Sequence, residues 1–123
     1  MKKEMPDMVK LNRVLNDLCY RGCLDLIKIH FQMSSEVIAS MRNRLTGGVQ
    51  EVMNNFVIVA KETDDCERAF LDCFNKFYWI PFENILQSLI RKEKVDEKDE
   101  AFIRGEFENE KNRALEDAIA ILG

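Results

Sequence analysis

Apolar residues recur at spacings of three and four along almost the whole chain, which is the pattern of one face of an α-helix. The pattern stops and restarts three times, dividing the chain into segments at residues 6–32, 35–61, 64–92 and 97–122. Each segment would be about 40 Å long as a helix. The apolar stripes are Leu11, Leu15, Leu18, Gly22, Leu26 and Ile29; Ile38, Met41, Leu45, Gly48, Val52, Phe56 and Val59; Cys66, Phe70, Cys73, Phe77, Ile85, Leu86, Leu89 and Ile90; and Ile103, Phe107, Ala114, Ala118, Ile121 and Leu122.

Every segment begins with a residue typical of helix starts. Short links between long helices favour antiparallel neighbours. The sequence therefore predicts an all-α fold, an up-and-down antiparallel bundle of about four long helices, in a single domain over residues 1–123. One alternative is a strand at residues 56–60, because three β-branched residues stand in a row there. The start signals are Pro6-Asp7, Ser34-Ser35-Glu36, the pair Asp64 and Glu67, and Asp96 or Asp99.

Each segment carries a helix-weakening residue near its middle. In an antiparallel bundle the middles of all helices lie at one height, so these residues would form a belt, here called the waist. Some helices are expected to be broken or kinked there, at Gly47-Gly48 and at Pro81. The residues that mark the waist are Gly22, Gly47-Gly48, Pro81 and Gly105, and the side chains predicted near it include Cys19, Cys23, Arg44, Tyr78 and Trp79.

The adjacent glycines Gly47 and Gly48 allow three interpretations. Two glycines inside a helix cost about 2 kcal/mol, which favours a turn between two shorter helices. The apolar stripe passes through them without a change of phase, which favours one continuous helix. A third interpretation is a helix start that binds an anion, with contacts from Arg42, Arg44, Gly47 and Gly48. No strand precedes this stretch and the lysine of a P-loop is missing.

An aromatic run in the third segment is the most unusual feature of the sequence. Its apolar residues cover every side of a helix, so one face can be core and another must meet something else. A central helix explains this, and so does an interface, where such residues are enriched; a ligand pocket is the third interpretation. An exposed Tyr78 or Trp79 in the monomer predicts a homo-oligomer. The predicted interface residues are Phe74, Phe77, Tyr78, Trp79 and Phe82.

Charge is unevenly distributed over a chain whose net charge is −4. Residues 94–123 carry five Lys or Arg against nine Asp or Glu. Within that stretch, Glu106, Glu108 and Glu110 are predicted either to be plain solvated surface or to attract a basic protein partner, such as a nucleic-acid-binding protein. Binding of duplex DNA is not favoured by the overall charge.

A DNA-associated regulator is nevertheless an alternative, because the first 33 residues carry six Lys or Arg against four Asp or Glu. The basic residues at that end are Lys2, Lys3, Lys10 and Arg13. A helix-turn-helix over residues 35–60 would have its turn at Gly47, but Asn43 then stands where a small residue is normally wanted.

Catalytic and metal-binding signatures were not found. The single histidine, His30, cannot supply the two Glu-x-x-His motifs of a di-metal bundle. Two cysteine pairs occur, but the spacing of Cys66 and Cys73 does not suit a zinc knuckle, so all four cysteines are expected to be free thiols. No segment is apolar enough to span a membrane and no signal peptide is evident, which predicts a cytoplasmic protein without cofactor or metal.

These observations predict a non-enzymatic helical protein that acts through protein–protein contacts, as an interaction or regulatory protein and a homo-oligomer. Its layout resembles that of many small helical proteins of bacterial or phage origin, and an inhibitor or adaptor of such origin is one form that its role could take. The alternatives are the DNA-associated regulator and a ligand-sensing bundle with its site at the waist.

Overall fold

The computed structural model describes residues 5–123 and shows an all-α bundle of four long helices. Helix α1 comprises residues 8–30, α2 Ser35–Ala60, α3 residues 66–92 and α4 Glu97–Leu122. Two of them contain a π-helical segment. Helix α1 is α-helical over Met8–Asp17, π-helical over Leu18–Leu24 and α-helical over Asp25–His30; α3 is α-helical over Cys66–Phe74, π-helical over Asn75–Trp79 and α-helical over Ile80–Lys92. The predicted fold class is confirmed.

Side-chain oxygens cap the helix starts by accepting hydrogen bonds from main-chain N–H groups, as the sequence indicated. Ser34 accepts from Val37 at 3.2 Å, and Asp96 accepts from Asp99 at 2.8 Å, so Asp96 is the cap of α4. For α3, the start signal in the sequence includes Asp64, which is one residue before the actual cap. It is Asp65, whose carboxylate accepts from the Arg68 N–H at 3.1 Å.

Contacts between the helices show that neighbours run antiparallel. Along α1 and α4, His30 meets Glu106, and Gly22, eight residues earlier, meets Glu110. The α2–α3 pair is joined by an edge-to-face contact between Phe56 and Phe70, and the α3–α4 pair by one between Phe82 and Phe107. The twelve largest side chains with less than 2% exposure form the centre of the core: Leu11, Leu15, Cys19, Ile27, Val52, Phe56, Phe70, Phe74, Tyr78, Phe82, Leu86 and Phe107.

The π-helical segment of α1 changes which residues face the core. Its wider turns bond each N–H to the carbonyl five residues back, as Asp25 does to Tyr20. One extra residue is thereby absorbed, and the buried stripe continues at Ile27. The predicted continuation through Leu26 and Ile29 is wrong: Leu26 is half-buried and Ile29 is 72% exposed.

The π-helical segment of α3 explains why Pro81 does not break that helix. Proline lacks an N–H and would clash with the carbonyl four residues back, which is that of Phe77. The wider turn immediately before Pro81 gives its ring room, and the Ile80 N–H bonds to the Asn75 carbonyl instead. The same extra residue turns both Tyr78 and Trp79 inward.

Helix α2 is continuous from Ser35 to Ala60, so the favoured turn at Gly47-Gly48 is wrong. The strand alternative at residues 56–60 is wrong for the same reason. No glycine in residues 5–123 has a positive φ. Gly48 is needed for close packing instead: a Cβ atom there would lie 3.0 Å from the Phe77 carbonyl oxygen and 3.4 Å from Tyr78 Cδ2. Tertiary packing thus supports a helix that propensity alone disfavours.

Candidate functional site

The connection between α3 and α4 and the first turns of α4 form a surface pocket beside the C-terminal end of α1. Lys94 adopts a left-handed backbone with φ of 53°, and the Val95 N–H donates to the Ile90 carbonyl at 3.1 Å. This tight reversal delivers the chain to Asp96, where α4 begins. The resulting pocket has a volume of about 500 Å³. We call it the α4-end pocket, and its lining includes His30, Glu93, Lys94, Asp96, Asp99 and Phe102.

Phe102 forms one wall of the α4-end pocket and is 65% exposed to solvent. Its ring is held in an edge contact with the imidazole of His30, with 6.4 Å between the centroids. His30 Nε2 lies 3.1 Å from the Glu106 carboxylate, so an interaction across α1 and α4 fixes the imidazole. Phe102 is therefore in contact with an imidazole whose position is fixed by Glu106.

The charge of the α4-end pocket is predominantly negative. Three carboxylates, those of Glu93, Asp96 and Asp99, line it against one ammonium group, that of Lys94. Main-chain amides take part of this charge, since Glu93 accepts from the Gln32 N–H at 3.1 Å and Asp96 caps α4. Within residues 5–123, no three His, Cys, Asp or Glu side chains are grouped closely enough to hold a metal ion.

A second group of polar atoms lies buried at the waist, where the two π-helical segments meet. The Tyr78 side chain comes from α3 and is 1% exposed, and the thiols of Cys19 and Cys23 come from α1. Among the described residues, the Tyr78 hydroxyl is the buried side-chain atom without a hydrogen bond of ordinary geometry. The polar groups that affect this hydroxyl are the thiols of Cys19 and Cys23. π-Helical turns frequently occur at functional sites, which makes this cluster a second candidate.

Burial dominates the ionisation of the waist cluster. It raises the pKa of the Cys23 thiol to about 12, with smaller opposing effects from Tyr78 and small additions from Cys19 and Glu110. The pKa of Cys19 is raised for the same main reason, and that of Tyr78 is raised well above its ordinary value. These groups are consequently neutral over the physiological range, and the thiols are poor nucleophiles.

Helix α4 contributes two charged side chains at the height of the waist. Glu110 stands opposite Gly22, where a Cβ would lie 3.2 Å from that of Glu110, so Glu110 rather than Gly105 completes this level of the bundle. The Lys111 ammonium lies 5.0 Å from the centroid of the Trp79 ring and pairs with Glu108 at 2.6 Å. The sequence predicts Cys19, Cys23 and Tyr78 near one height of the bundle, and in the structure Tyr78 lies beside both thiols.

The aromatic run predicted as an interface is mostly core in the single chain. Tyr78 and Trp79 are 1% and 5% exposed, so the expectation that one of them would face solvent is wrong. Phe74 and Phe82 are fully buried and stack in the same column. Phe77 is half-buried, with the Lys76 ammonium 5.2 Å from its ring centroid. The homo-oligomer stays a prediction, but the aromatic run no longer supports it, because Tyr78 and Trp79 are buried in the single chain.

The three glutamates predicted as an acidic partner face do not form one free surface. Glu106 approaches His30 at 3.1 Å, Glu108 approaches Lys111 at 2.6 Å and Glu110 approaches Arg113 at 3.8 Å. Glu106 and Glu110 lie on the side of α4 that faces α1, whereas Glu108 lies beside α3 near Trp79. The structure instead gathers carboxylates about two to three turns before Glu106, at the α4-end pocket.

The anion site predicted from Arg42, Arg44, Gly47 and Gly48 is wrong in its structural premise. These residues lie in the middle of α2, where the main-chain N–H groups are used within the helix. The side chains of Arg42 and Arg44 are exposed. A helix-turn-helix over residues 35–60 is wrong for the same reason. Lys2 and Lys3, part of the proposed basic end, lie outside the described residues.

Phe102 was not singled out from the sequence. It stands next to Ile103, the first member of the α4 stripe, and an apolar residue beside a stripe is usually part of the core edge. The sequence does carry one signal for it. Phe102 stands among the carboxylates of the run from Asp96 to Glu106, and it is the one large apolar residue of that run outside the α4 stripe.

None of the helices in the described part of the chain combines the length and apolar character needed to cross a lipid bilayer. No protein-family model, curated protein or solved structure matches the chain. The geometry of its own residues is therefore the basis for the function proposed below.

Proposed function

We propose that this is a non-enzymatic helical interaction protein that binds a basic segment of a protein partner at the α4-end pocket. In the complex, a Lys or Arg side chain of the partner enters the pocket. Its cationic group lies between the carboxylates and the face of Phe102. The partner is a protein with a basic surface, such as one that binds nucleic acid.

The observation that carries this proposal is the 65% exposure of Phe102 beside an acidic pocket. Leaving such a side chain in water forgoes roughly 1.5–3 kcal/mol of burial. Tyrosine, tryptophan and phenylalanine in such settings are typical of interface residues. An exposed aromatic ring next to carboxylates suits a cation on an apolar stem, because the ring and the carboxylates both attract its positive end.

The size of the pocket favours a side chain of a larger partner over a free ion. Its volume is about 500 Å³, and its carboxylates are not grouped for metal coordination within residues 5–123. A long cationic side chain fills such a space and lets the rest of the partner contact the neighbouring surface. The exposed carboxylate of Glu97 in the same region adds to the attraction at a distance.

A cytoplasmic location and a role other than catalysis belong to the same proposal. The four cysteines are free, which agrees with a reducing compartment. The two alternative functions stay predictions. For the DNA-associated regulator, the exposed Lys10 and Arg13 are the relevant described residues. For the ligand-sensing bundle, the waist is filled by the protein's own side chains, which does not favour it.

The proposal is tested by fluorescence anisotropy with a labelled peptide of alternating Arg and Ala and a matched peptide of alternating Glu and Ala. We expect the basic peptide alone to bind, and its affinity to fall as salt screens the charges. Phe102→Ala and Asp99→Asn should each weaken binding by roughly five- to tenfold, the loss expected for one cation–π contact or one partly exposed charge pair.

Matched controls are Ile80→Ala, an exposed apolar residue elsewhere, and Asp117→Asn, an exposed acid near the other end of α4. They should leave the affinity unchanged. Equal effects of the pocket and control variants would show only diffuse attraction by a negative protein and would overturn the proposed site. Capture from a cell lysate with wild type and with Phe102→Ala then identifies partners that depend on the pocket.

A further inference from the structure

We propose that the waist cluster binds one Cu(I) ion between the sulfur atoms of Cys19 and Cys23, and that the Tyr78 hydroxyl donates a hydrogen bond to one of these sulfur atoms when the ion is bound. This site is separate from the α4-end pocket. The inference goes beyond the proposed function and does not depend on the partner proposed there. The ligand class is a soft monovalent cation, for which thiolate sulfur is a preferred ligand.

The first observation is the position of the two thiols. Cys19 and Cys23 are four residues apart on α1, so they are neighbours on the same side of the helix. Each is 0% exposed, and both belong to the π-helical segment Leu18–Leu24. On a helix, residues at this spacing have Cβ atoms roughly 5–6 Å apart. Their sulfur atoms can therefore take opposite sides of one ion, since two metal–thiolate bonds of about 2.3 Å span about 4.6 Å.

The second observation is the Tyr78 hydroxyl, which comes from α3 and has both thiols as polar neighbours. Tyr78 is 1% exposed, and among the described residues its hydroxyl is the buried side-chain oxygen or nitrogen without a hydrogen-bond partner. Phenylalanine would fill the same space without that cost, so packing does not account for the hydroxyl. A neutral thiol is a weak acceptor, whereas a metal-bound thiolate is negatively charged and accepts strongly. Coordination of an ion therefore turns a thiol into the acceptor that this hydroxyl needs.

The number of sulfur ligands selects the ion. Thiolates favour Cu(I) and zinc among the common metals. A structural zinc site takes four ligands. Within residues 5–123, no group of three His, Cys, Asp or Glu side chains is placed to hold a metal ion. Cu(I) is stable with two sulfur ligands on opposite sides, so a pair of thiols in an apolar core suits Cu(I) and not zinc.

Binding exchanges protons for the metal and involves no electron transfer. Cu(I) enters as the monovalent ion, two copper–sulfur bonds form, and the two S–H protons leave to solvent. The buried site then carries a single negative charge, shared by the two sulfur atoms, and the Tyr78 O–H dipole offsets part of it. An ion held between two sulfur atoms needs no cavity of its own. A waist filled by the protein's side chains therefore admits it, although it does not favour a larger ligand.

A groove between α1 and α4 gives the ion a route towards the thiols. Its volume is about 330 Å³, and its lining includes Leu18 and Glu110. Gly22 lies between these two side chains, since a Cβ atom there would be 2.9 Å from Leu18 Cδ1 and 3.2 Å from Glu110 Cβ. The adjacent Cys23 is near enough to Glu110 for the carboxylate to contribute to its raised pKa. The groove therefore reaches α1 at the level of Cys23.

Competition for Cu(I) with the chromophoric chelator bicinchoninate, under anaerobic conditions with ascorbate, tests the site. Wild type should withdraw one equivalent of Cu(I) per chain from the chelator, and X-ray absorption at the copper edge should show two sulfur neighbours. Cys19→Ala and Cys23→Ala each leave one sulfur ligand and should lower the Cu(I) affinity by more than about a hundredfold. Cys73→Ala is the matched control, because it removes another buried free thiol and should withdraw Cu(I) like wild type.

Tyr78→Phe separates a role in metal binding from a role in packing. We expect its Cu(I) affinity to fall by roughly tenfold, the loss typical for a group that hydrogen-bonds to a metal ligand. Its thermal midpoint without copper should rise, because a buried hydroxyl without a partner is removed. Circular dichroism of each copper-free variant checks folding. Cys23→Ser, which keeps the shape of the side chain but offers a hard oxygen ligand, replaces Cys23→Ala if that variant is unfolded.

Three results would overturn the inference. The first is a wild-type protein that takes no Cu(I) from the chelator. The second is an equal loss of affinity in Cys73→Ala and Cys23→Ala, which would place the copper on thiols outside the waist cluster. The third is a Tyr78→Phe variant that binds Cu(I) as tightly as wild type, which would leave the buried hydroxyl without a part in the site.

Discussion

Gly48 of α2 lies against the main-chain carbonyl of Phe77 in α3, so that a Cβ atom on Gly48 would be 3.0 Å from that oxygen. The carbonyl belongs to the residue four before Pro81, which has no N–H to offer it. Two sequence features far apart in the chain, a glycine and a proline, thus meet at one contact in the bundle.

The two adjacent glycines of α2 should respond oppositely to alanine. Gly47→Ala should raise the free energy of unfolding of the monomer by about 1 kcal/mol, because alanine is the better helix former and the added methyl group meets nothing. Gly48→Ala should lower it by roughly 1 kcal/mol, because strain against the Phe77 carbonyl and Tyr78 exceeds the gain in propensity. Urea denaturation at low protein concentration measures both, and stabilisation by both substitutions would contradict the packing role of Gly48.

Replacing the buried hydroxyl of Tyr78 should stabilise the protein. A buried polar group without a hydrogen bond of ordinary geometry costs about 1–3 kcal/mol, and Tyr78→Phe removes it while keeping the ring in its stack with Phe74 and Phe82. We expect a gain of roughly 1 kcal/mol in urea denaturation. Phe82→Leu, which removes a ring from the same stack, is expected to destabilise. A loss of stability in Tyr78→Phe would show that the hydroxyl is bonded to the Cys19 or Cys23 thiol.

The four cysteines should differ strongly in their reactivity towards a thiol reagent at mildly alkaline pH. Cys66 is half-buried and should react first. Cys23 should be the slowest, because burial raises its pKa to about 12 and the thiolate is the nucleophile. Mass spectrometry of peptides after timed alkylation gives the order, and Cys66→Ser should remove the fast phase. Fast labelling of Cys23 in the native protein would contradict the buried position of the waist cluster.

Stability should decrease on the alkaline side. The Cys23 pKa is about 12 in the folded chain against an ordinary value of 9.0, so above pH 9 the unfolded chain releases its proton first. The stabilising contribution is therefore complete below pH 9 and is lost as the pH rises towards 12. Cys19, whose pKa is raised for the same main reason, adds to the loss.

By pH 10 the expected loss is about 1 kcal/mol for the Cys23 thiol. The measurement is the urea midpoint at pH 8, 9 and 10, with Cys23→Ala as the matched variant. In that variant the pH dependence should be smaller than in wild type. Identical pH dependence in both proteins would mean that Cys23 is not the group responsible.

The sequence was sufficient for the fold class because the helix starts and the apolar spacing are local signals. Ser34 and Asp96 cap the helices that their positions indicated, and Ile103, Phe107, Ala114 and Ala118 form the buried stripe of α4 as predicted. The height of the waist was also predictable, since antiparallel helices of similar length place their middles together. Cys19, Cys23 and Tyr78 accordingly meet.

The parts that could not be predicted depend on what lies across from each helix. Gly48 looks like a helix breaker until the Phe77 carbonyl is placed beside it. Ile27 replaces Leu26 in the core because a π-helical turn shifts the buried stripe by one residue. No single residue type in the sequence predicts such a turn. The environment of Phe102 depends on the tertiary fold, which brings His30 of α1 and the three carboxylates of the connection and of α4 around its ring. Each of these is a tertiary effect.

The π-helical turn of α1 gives this protein a place where chain length, rather than residue identity, can vary. A π-helical turn holds one residue more than an α-helical turn while the flanking stretches keep their faces. Deleting Arg21, an exposed residue within Leu18–Leu24, should therefore restore an ordinary α-helix with Leu15 and Ile27 still in the core. Deleting Arg13, an exposed arginine in the α-helical part of the same helix, would rotate the preceding turn by about 100° and take Leu11 out of the core. The two deletions remove the same kind of side chain, and only the second should unfold the start of α1.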